Sequence, residues 1–370
     1  AGVLADREAA VKLGRREYAG KRVLFILPVT VPGGGANIVL SESRAMRRMG
    51  VDVRVFNLQG HALKFGAGYR TLDIPTVFGS QMDVLRLAPD YDALIATVNF
   101  TVEWLKPLES APNPPTLGYY IQDFEPMMYP DDPFGKRRAM ESYSLLKRGV
   151  LFCKTQWNQK TVEAECAISP IVVGPSFELD LFRPRNRGSG PDARTLTIAA
   201  LIRPETPYRA PHLTMALLKQ AKARYGAQIR IILFGAPVDH PEFARYPSHF
   251  ECEVAGIVSP EQTAHILSES DIFVDFSAHQ AMGLTAMEAM GCGCATIVPE
   301  HGGASSFARH GHNSLIIDTR SEAACWEALK ALITDASLRE TLRLNAQHDV
   351  CAFHPEGAAL NILGALFPKA

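Results

Sequence analysis

From residue 21 onward, short β-branched runs alternate with longer helical ones, and this alternation restricts the fold more than any other feature of the chain. RVLFILPV reads as a buried strand. GGGANIVLSESRAMRRMG follows as a glycine loop and a helix whose Val39, Met46 and Met49 share one face, with Arg44, Arg47 and Arg48 elsewhere. DVRVFNL, DALIATV, TLGYYIQD, GVLFC and PIVVG continue the strands. PRNRGSGPDAR, at 184–194, has no periodic apolar signal and reads as a linker. Beyond it the pattern restarts with TLTIAAL, QIRIILFG, FECEVAG, DIFVDFS, CATIVP and NSLIID, separated by helices such as PHLTMALLKQAKARYG and PEQTAHILSES. Apolar strands separated by helices build a parallel sheet covered on both faces. The expected fold class is therefore α/β, with a helical extension over 1–20, a first Rossmann-like domain over 21–183, the linker, a second over 195–350, and a C-terminal helix over 351–370 (PEGAALNILGALF) that packs back on the first domain. Two such units leave a cleft, and ligands of such sheets sit at the carboxyl ends of the strands.

Composition removes several classes of function. The 370 residues are 47% hydrophobic and 21% charged, which is globular and long enough for two domains. With 38 basic against 39 acidic residues, nothing in the balance suggests a nucleic-acid binder. Seven cysteines without a CxxC pair argue against a disulfide framework and a zinc ribbon, and fit a reducing cytoplasm. No apolar run is long enough to span a bilayer, and AGVLADREAAVKLGRREYAG is too charged for a signal peptide. A cytoplasmic protein, at most peripheral at the inner face of a membrane, is expected. The chain begins without methionine, which is compatible with neighbouring domains in a longer polypeptide.

Four stretches carry candidate chemistry. In PVTVPGGGANIV a dinucleotide fingerprint starting at Gly33 fails at Ile38, and no Walker loop occurs. The glycines still let a ligand approach the amides at a helix start, or simply make a tight turn. HQAMGLTAMEAMGCG reads as a helix from Gly283 to Met290, with Thr285, Glu288 and Ala289 on one face and Met287 and Met290 opposite. That arrangement turns Glu288 toward the cleft, one turn beyond amides suited to a phosphate, where an acceptor-only carboxylate takes ribose hydroxyls. The plain alternative is a surface glutamate. In LIRPETPYRAPH, Arg203 and Arg209 at a strand's carboxyl end suit a diphosphate clamp, or are loop residues in solvent. In GYYIQDFEPMMYP, Asp123 and Glu125 among tyrosines suit sugar hydroxyls, a glycosidase acid pair, or a turn. Cys292 and Cys294 with His301, His310 and His312 match no zinc spacing, so no metal site is expected.

Together these features resemble the family 4 retaining glycosyltransferases, which have the GT-B fold. The likeness rests on PGGGA after the first strand, SFELDLFRP at the domain junction, Arg203, and DIFVDFSAHQAMGLTAMEAMGCGCATIVPEHGGASS, where Gly283, Leu284, Glu288, Gly291, Gly302 and Gly303 match. Two positions depart from the family pattern. Gln280 stands where the first glutamate of a pair is usual, and Arg209 where a lysine is usual. The resemblance implies two Rossmann-like domains facing across a cleft and a nucleotide-sugar donor with no cofactor and no metal. The diphosphate then goes to Arg203, Arg209 and the amides of Gly283 and Leu284, the ribose to Glu288, and the sugar near Gln280. Thr285, Gly235, Gly34 and Gly35 complete the donor set, and Asp123 joins the catalytic one. The combination of YYIQDFEP, PYRAP and HQAMG looks like the subgroup that builds rhamnose-containing bacterial surface polysaccharides. That likeness implies dTDP-L-rhamnose as donor and a glycan or lipid-linked glycan as acceptor.

Overall fold

The computed structural model describes residues 2–184, 195–237, 239–246 and 250–369. Nearly all of the expected linker, 185–194, lies outside them. The chain divides into two units, Ala1–Ser176 with Phe353–Ala370, and Phe177–Ala352.

The first unit holds strands β1 (Arg22–Ile26), β2 (Asp52–Leu58), β3 (Thr76–Gly79), β4 (Ala93–Ala96), β5 (Thr116–Ile121), β6 (Val150–Cys153) and β7 (Ile171–Val172). They pair in parallel in the order β3-β2-β1-β4-β5-β6-β7. The short edge strand β3, TVFG, is not among the strands expected from the sequence. The helix Gly34–Arg48 buries Val39 and Met46 and leaves Arg47 and Arg48 exposed, as its periodicity requires. The C-terminal helix Pro355–Leu366 packs on that helix and on Gly2–Tyr18. Buried Glu356 fixes the contact by accepting from Arg7 at 2.9 and 3.0 Å and from Arg48.

The second unit holds β8 (Leu196–Leu201), β9 (Ile229–Phe234), β10 (Glu253–Val254), β11 (Ile272–Val274), β12 (Ala295–Pro299) and β13 (Leu315–Ile317). They also pair in parallel, in the order β10-β9-β8-β11-β12-β13. The helix Leu284–Cys292 is buried from Ala286 onward and packs between Pro260–Ser268 and Ala336–Val350. Its Gly291 has no room for a side chain, because a Cβ there would lie 2.7 Å from the Phe177 ring and the Phe182 carbonyl. That contact seats the SFELDLF segment in the second unit.

In each sheet the chain reverses direction of build at one place: between β1 and β4, and between β8 and β11. Connections leave those two strands on opposite sides and open a crevice at their carboxyl ends.

Candidate functional site

In the second unit, β8 ends at Leu201 and β11 at Val274, so Arg203–Arg209 and Asp275–Gly283 are the two loops at the reversal point. The Ala278 amide donates to the Tyr208 carbonyl at 2.7 Å, and the rings of Tyr208 and His279 stack at 4.6 Å. The two loops are thus one assembly. A pocket between them is lined by Arg209, Asp275, Ser277, Gly283, Thr285 and the strand residues beneath.

Arg203 and Arg209 bring two guanidiniums together, with no carboxylate bonded to either among the described residues. Burial holds Arg203 below its ordinary value, and the neighbouring Arg209 charge lowers it further. Two half-buried cations that repel one another form a site preorganised for an anion. Ala210, just beyond, has φ 48° and caps the helix Pro211–Tyr225, a left-handed conformation that is costly for alanine.

Gly283 has φ 93° and opens the helix Leu284–Cys292. The left-handed turn suits glycine, and the first helical amides beyond it have no intrahelical acceptors. Glu288, one turn on and expected to face the cleft, is only 5% exposed, so it is not the plain surface glutamate that the sequence also allows. Its carboxylate has no hydrogen-bond or ion-pair partner among the described residues, and desolvation alone pushes it up to about 8. The helix is buried from Ala286 onward, which leaves the carboxylate little contact with water. A buried acid left without protein donors is matched by a ligand that brings hydroxyl donors.

Gln280 is equally buried. Its backbone pairs with Gly302 and its carbonyl accepts from the Gly303 amide at 2.7 Å. Gly302 has φ 126°, and a Cβ there would sit 2.1 Å from the Gln280 oxygen. The Gln280 side chain donates through Nε2 to Asp275 Oδ2 at 2.8 Å and to Ser277 Oγ at 3.0 Å. Asp275 and Ser277 are not among the residues singled out from the sequence. The signal was present, since an acid and a serine directly follow a strand that stops at Val274. Thr285 lines the same pocket. Gly235, with φ 102°, would place a Cβ 2.4 Å from Leu201, and its amide donates to the Gly256 carbonyl. Its task in the structure is steric.

The remaining candidates lie in the first unit. Gly34 begins the helix Gly34–Arg48, and Gly35 faces Gln122, where a Cβ would meet the amide at 3.5 Å. Asp123 accepts from the Phe124 amide at 2.8 Å in the turn after β5. Glu125 is buried and accepts from Tyr119 Oη, Asn99 Nδ2 and the Asn99 amide, each at 2.7 Å. Desolvation pushes Glu125 up to about 7 against those bonds. A carboxylate enclosed in this way braces the loops after β4 and β5. Cys292 and Cys294 are buried and face carbonyls, Cys294 donating to Leu267 at 3.1 Å. No group of three or more His, Cys, Asp or Glu side chains is gathered as metal ligands among the described residues. No helix among them is long and apolar enough to cross a membrane.

With this geometry in place, likenesses to known proteins are informative. Residues 210–349 match the family model "Glycosyl transferases group 1". A D-inositol 3-phosphate glycosyltransferase of Stackebrandtia nassauensis is 26% identical over 214 residues, covering 52% of this chain and 47% of that protein. The chain therefore spans about half the length of the curated relatives it matches. Among solved structures, Anabaena HepE in complex with UDP-glucose superposes with a TM-score of 0.76 at 16% identity, covering 93% of this chain and 99% of that one. The sucrose-phosphate synthase of Thermosynechococcus elongatus superposes with a TM-score of 0.73 at 15% identity, covering 92% and 97%. The fold is GT-B, and the second unit carries the group 1 glycosyltransferase pattern.

Proposed function

We propose that the protein is a retaining glycosyltransferase that moves a sugar from a nucleotide diphosphate donor to an acceptor hydroxyl. The observation that carries this reading is the pairing of two carboxylate-free arginines with a buried, unpartnered Glu288 beyond a glycine-capped helix start. An anion site and a hydroxyl-accepting site one helical turn apart match the diphosphate and ribose of one nucleotide.

In the proposed reaction the bond between C1 of the sugar and the phosphate oxygen breaks, and an acceptor oxygen bonds to C1 on the same face. Arg203, Arg209 and the amides of Gly283 and Leu284 stabilise the charge that grows on the leaving diphosphate, which is larger in the transition state than in the bound donor. The leaving phosphate oxygen takes the acceptor's proton, so no side-chain base and no metal is required. Asp123 and the Gly34–Gly35 loop serve the acceptor. The finer reading of the donor is dTDP-L-rhamnose, delivered to a glycan or lipid-linked glycan of a bacterial surface polysaccharide at the cytoplasmic side. It is supported by YYIQDFEP, Arg209 and Gln280 in their present positions. A UDP-sugar is a second reading, favoured because an unpartnered carboxylate accepts two hydroxyls and a ribose diol offers both, whereas deoxyribose offers one.

The test is release of free nucleoside diphosphate from a panel of dTDP-, UDP- and GDP-sugars with oligosaccharide acceptors, with the product's anomeric configuration read by NMR. Release with retained configuration is expected. Binding of nucleotide sugars with no release under any acceptor would identify a binding module of a larger assembly protein instead.

A further inference from the structure

Gln280 carries an amide whose two ends differ, and its surroundings decide which end is free. Asp275 accepts from the Ser277 amide at 3.1 Å and the Ser277 hydroxyl at 2.5 Å through Oδ1, and from Gln280 Nε2 at 2.8 Å through Oδ2. A carboxylate accepts only, so the Gln280 group facing it must be the NH2. The Ser277 hydroxyl has already given its proton to Asp275, so toward Gln280 it too can only accept, which it does at 3.0 Å. Both hydrogens of the Gln280 amide are thereby taken. Its Oε1 is left without a partner among the described residues, in a side chain that is almost wholly buried and three residues before Gly283. Thr319 donates to the Ser277 carbonyl at 2.7 Å and holds the turn in place.

We infer that Asp275 is a positioning residue for donor selection: it locks the Gln280 amide so that Gln280 offers the donor sugar an acceptor oxygen only. The sugar selected is one that presents a hydroxyl, as donor, at that point. This rests on the nucleotide-sugar reading above. It gives the pair a defined polarity in which the acid sits at 275 and the amide at 280. Asp275→Asn combined with Gln280→Glu reverses the hydrogen bond between the two positions but keeps one acid, one amide and an acceptor oxygen at 280, whereas two acids together repel.

The experiment compares wild type, Gln280→Glu, Asp275→Asn and the double variant by thermal unfolding and by calorimetric titration with dTDP-, UDP- and GDP-sugars and their free nucleoside diphosphates. Gln280→Glu sets two carboxylates against each other and lowers both Tm and sugar-nucleotide affinity, the latter about tenfold, the value of one hydrogen bond near 1.4 kcal/mol. Asp275→Asn frees the amide to turn and narrows the affinity gap between the preferred sugar nucleotide and its competitors. The double variant, which restores the net charge, recovers Tm and affinity together, and across the series the affinity for the sugar nucleotide changes more than that for the free diphosphate. Additive effects on Tm would overturn the lock. A double variant that regains Tm without affinity would show that the acid at 275 is needed in its own right, and would also overturn the proposal. If no nucleotide sugar binds the wild type, the functional reading fails by itself, and the Tm comparison still decides the lock.

Discussion

The backbone amide of Ala278 donates to the carbonyl of Tyr208 at 2.7 Å, joining the loop that carries both arginines to the loop that carries Asp275, Gln280 and Gly283. Each loop leaves the carboxyl end of a strand next to the point where the sheet reverses its order of build. The bond, with the stacking of Tyr208 on His279, ties the two loops together, so a shift of one loop disturbs the other.

Glu288→Gln separates stability from binding. The buried carboxyl of Glu288 titrates near 8, against an ordinary value of 4.5. Between these two values the folded protein holds a proton that the unfolded chain has released, so its stability falls as pH rises through the window. The variant does not titrate there. Its Tm should match wild type near pH 4.5 and exceed it progressively up to pH 8, by on the order of a few kcal/mol of unfolding free energy. Equal Tm curves across that range would show that the carboxyl is not desolvated.

Donor binding should release a proton near neutral pH, since ligand hydroxyls donating to Glu288 favour its ionised form. Calorimetry of a nucleotide sugar in buffers of different ionisation enthalpy checks this at pH 7. The apparent enthalpy should vary with the buffer in wild type and not in Glu288→Gln.

Gly302→Ala should be strongly destabilising. Its φ of 126° is outside the range alanine adopts, and the new Cβ would overlap the Gln280 carbonyl oxygen. Strain of this kind costs roughly 1–3 kcal/mol before the clash is counted. A lowered Tm together with weakened sugar-nucleotide binding is expected, and unchanged Tm would place the Gln280 loop elsewhere.

The first unit contains a test that is independent of ligands. Lys154 is 2% exposed and pairs with fully buried Glu42, while Ser176 bridges them and Tyr120 donates to the second Glu42 oxygen at 2.8 Å. Removing one charge strands the other, so Lys154→Met should cost about 3–5 kcal/mol by denaturant unfolding. Adding Glu42→Leu should return most of it.

Much of this was readable from the residues, and the failures have physical causes. The alternation of strands and helices points to both sheets except for β3, TVFG, an edge strand whose residues are all only partly buried and which lacks the apolar run of a core strand. The placement of Arg203 and Arg209 in the loop after β8, and of Gly283 at the start of a helix, is legible because turn glycines and strand ends are local signals. The burial of Glu288 is not, since it depends on how its helix packs within the second unit, which no local signal in the helix records. Nor was the pairing of Asp275 with Gln280, because strand termination at Val274 is a tertiary event that determines which later side chain the acid meets. Glu125 reads beside Asp123 as a candidate acid, yet it is held by Tyr119 on β5 and by Asn99 at the start of the helix Asn99–Leu105, a contact that sequence spacing does not show.

The most direct measurement is the transfer rate of Arg203→Ala and Glu288→Ala against wild type, on whichever donor of the dTDP, UDP and GDP panel turns over, with Tm recorded for each protein. Removing the cation that faces the leaving diphosphate, or the carboxylate that faces the ribose, should reduce transfer by roughly a hundredfold or more while each variant remains folded. Near wild-type rates in both folded variants would contradict the assignment of Arg203 and Glu288 to the donor site.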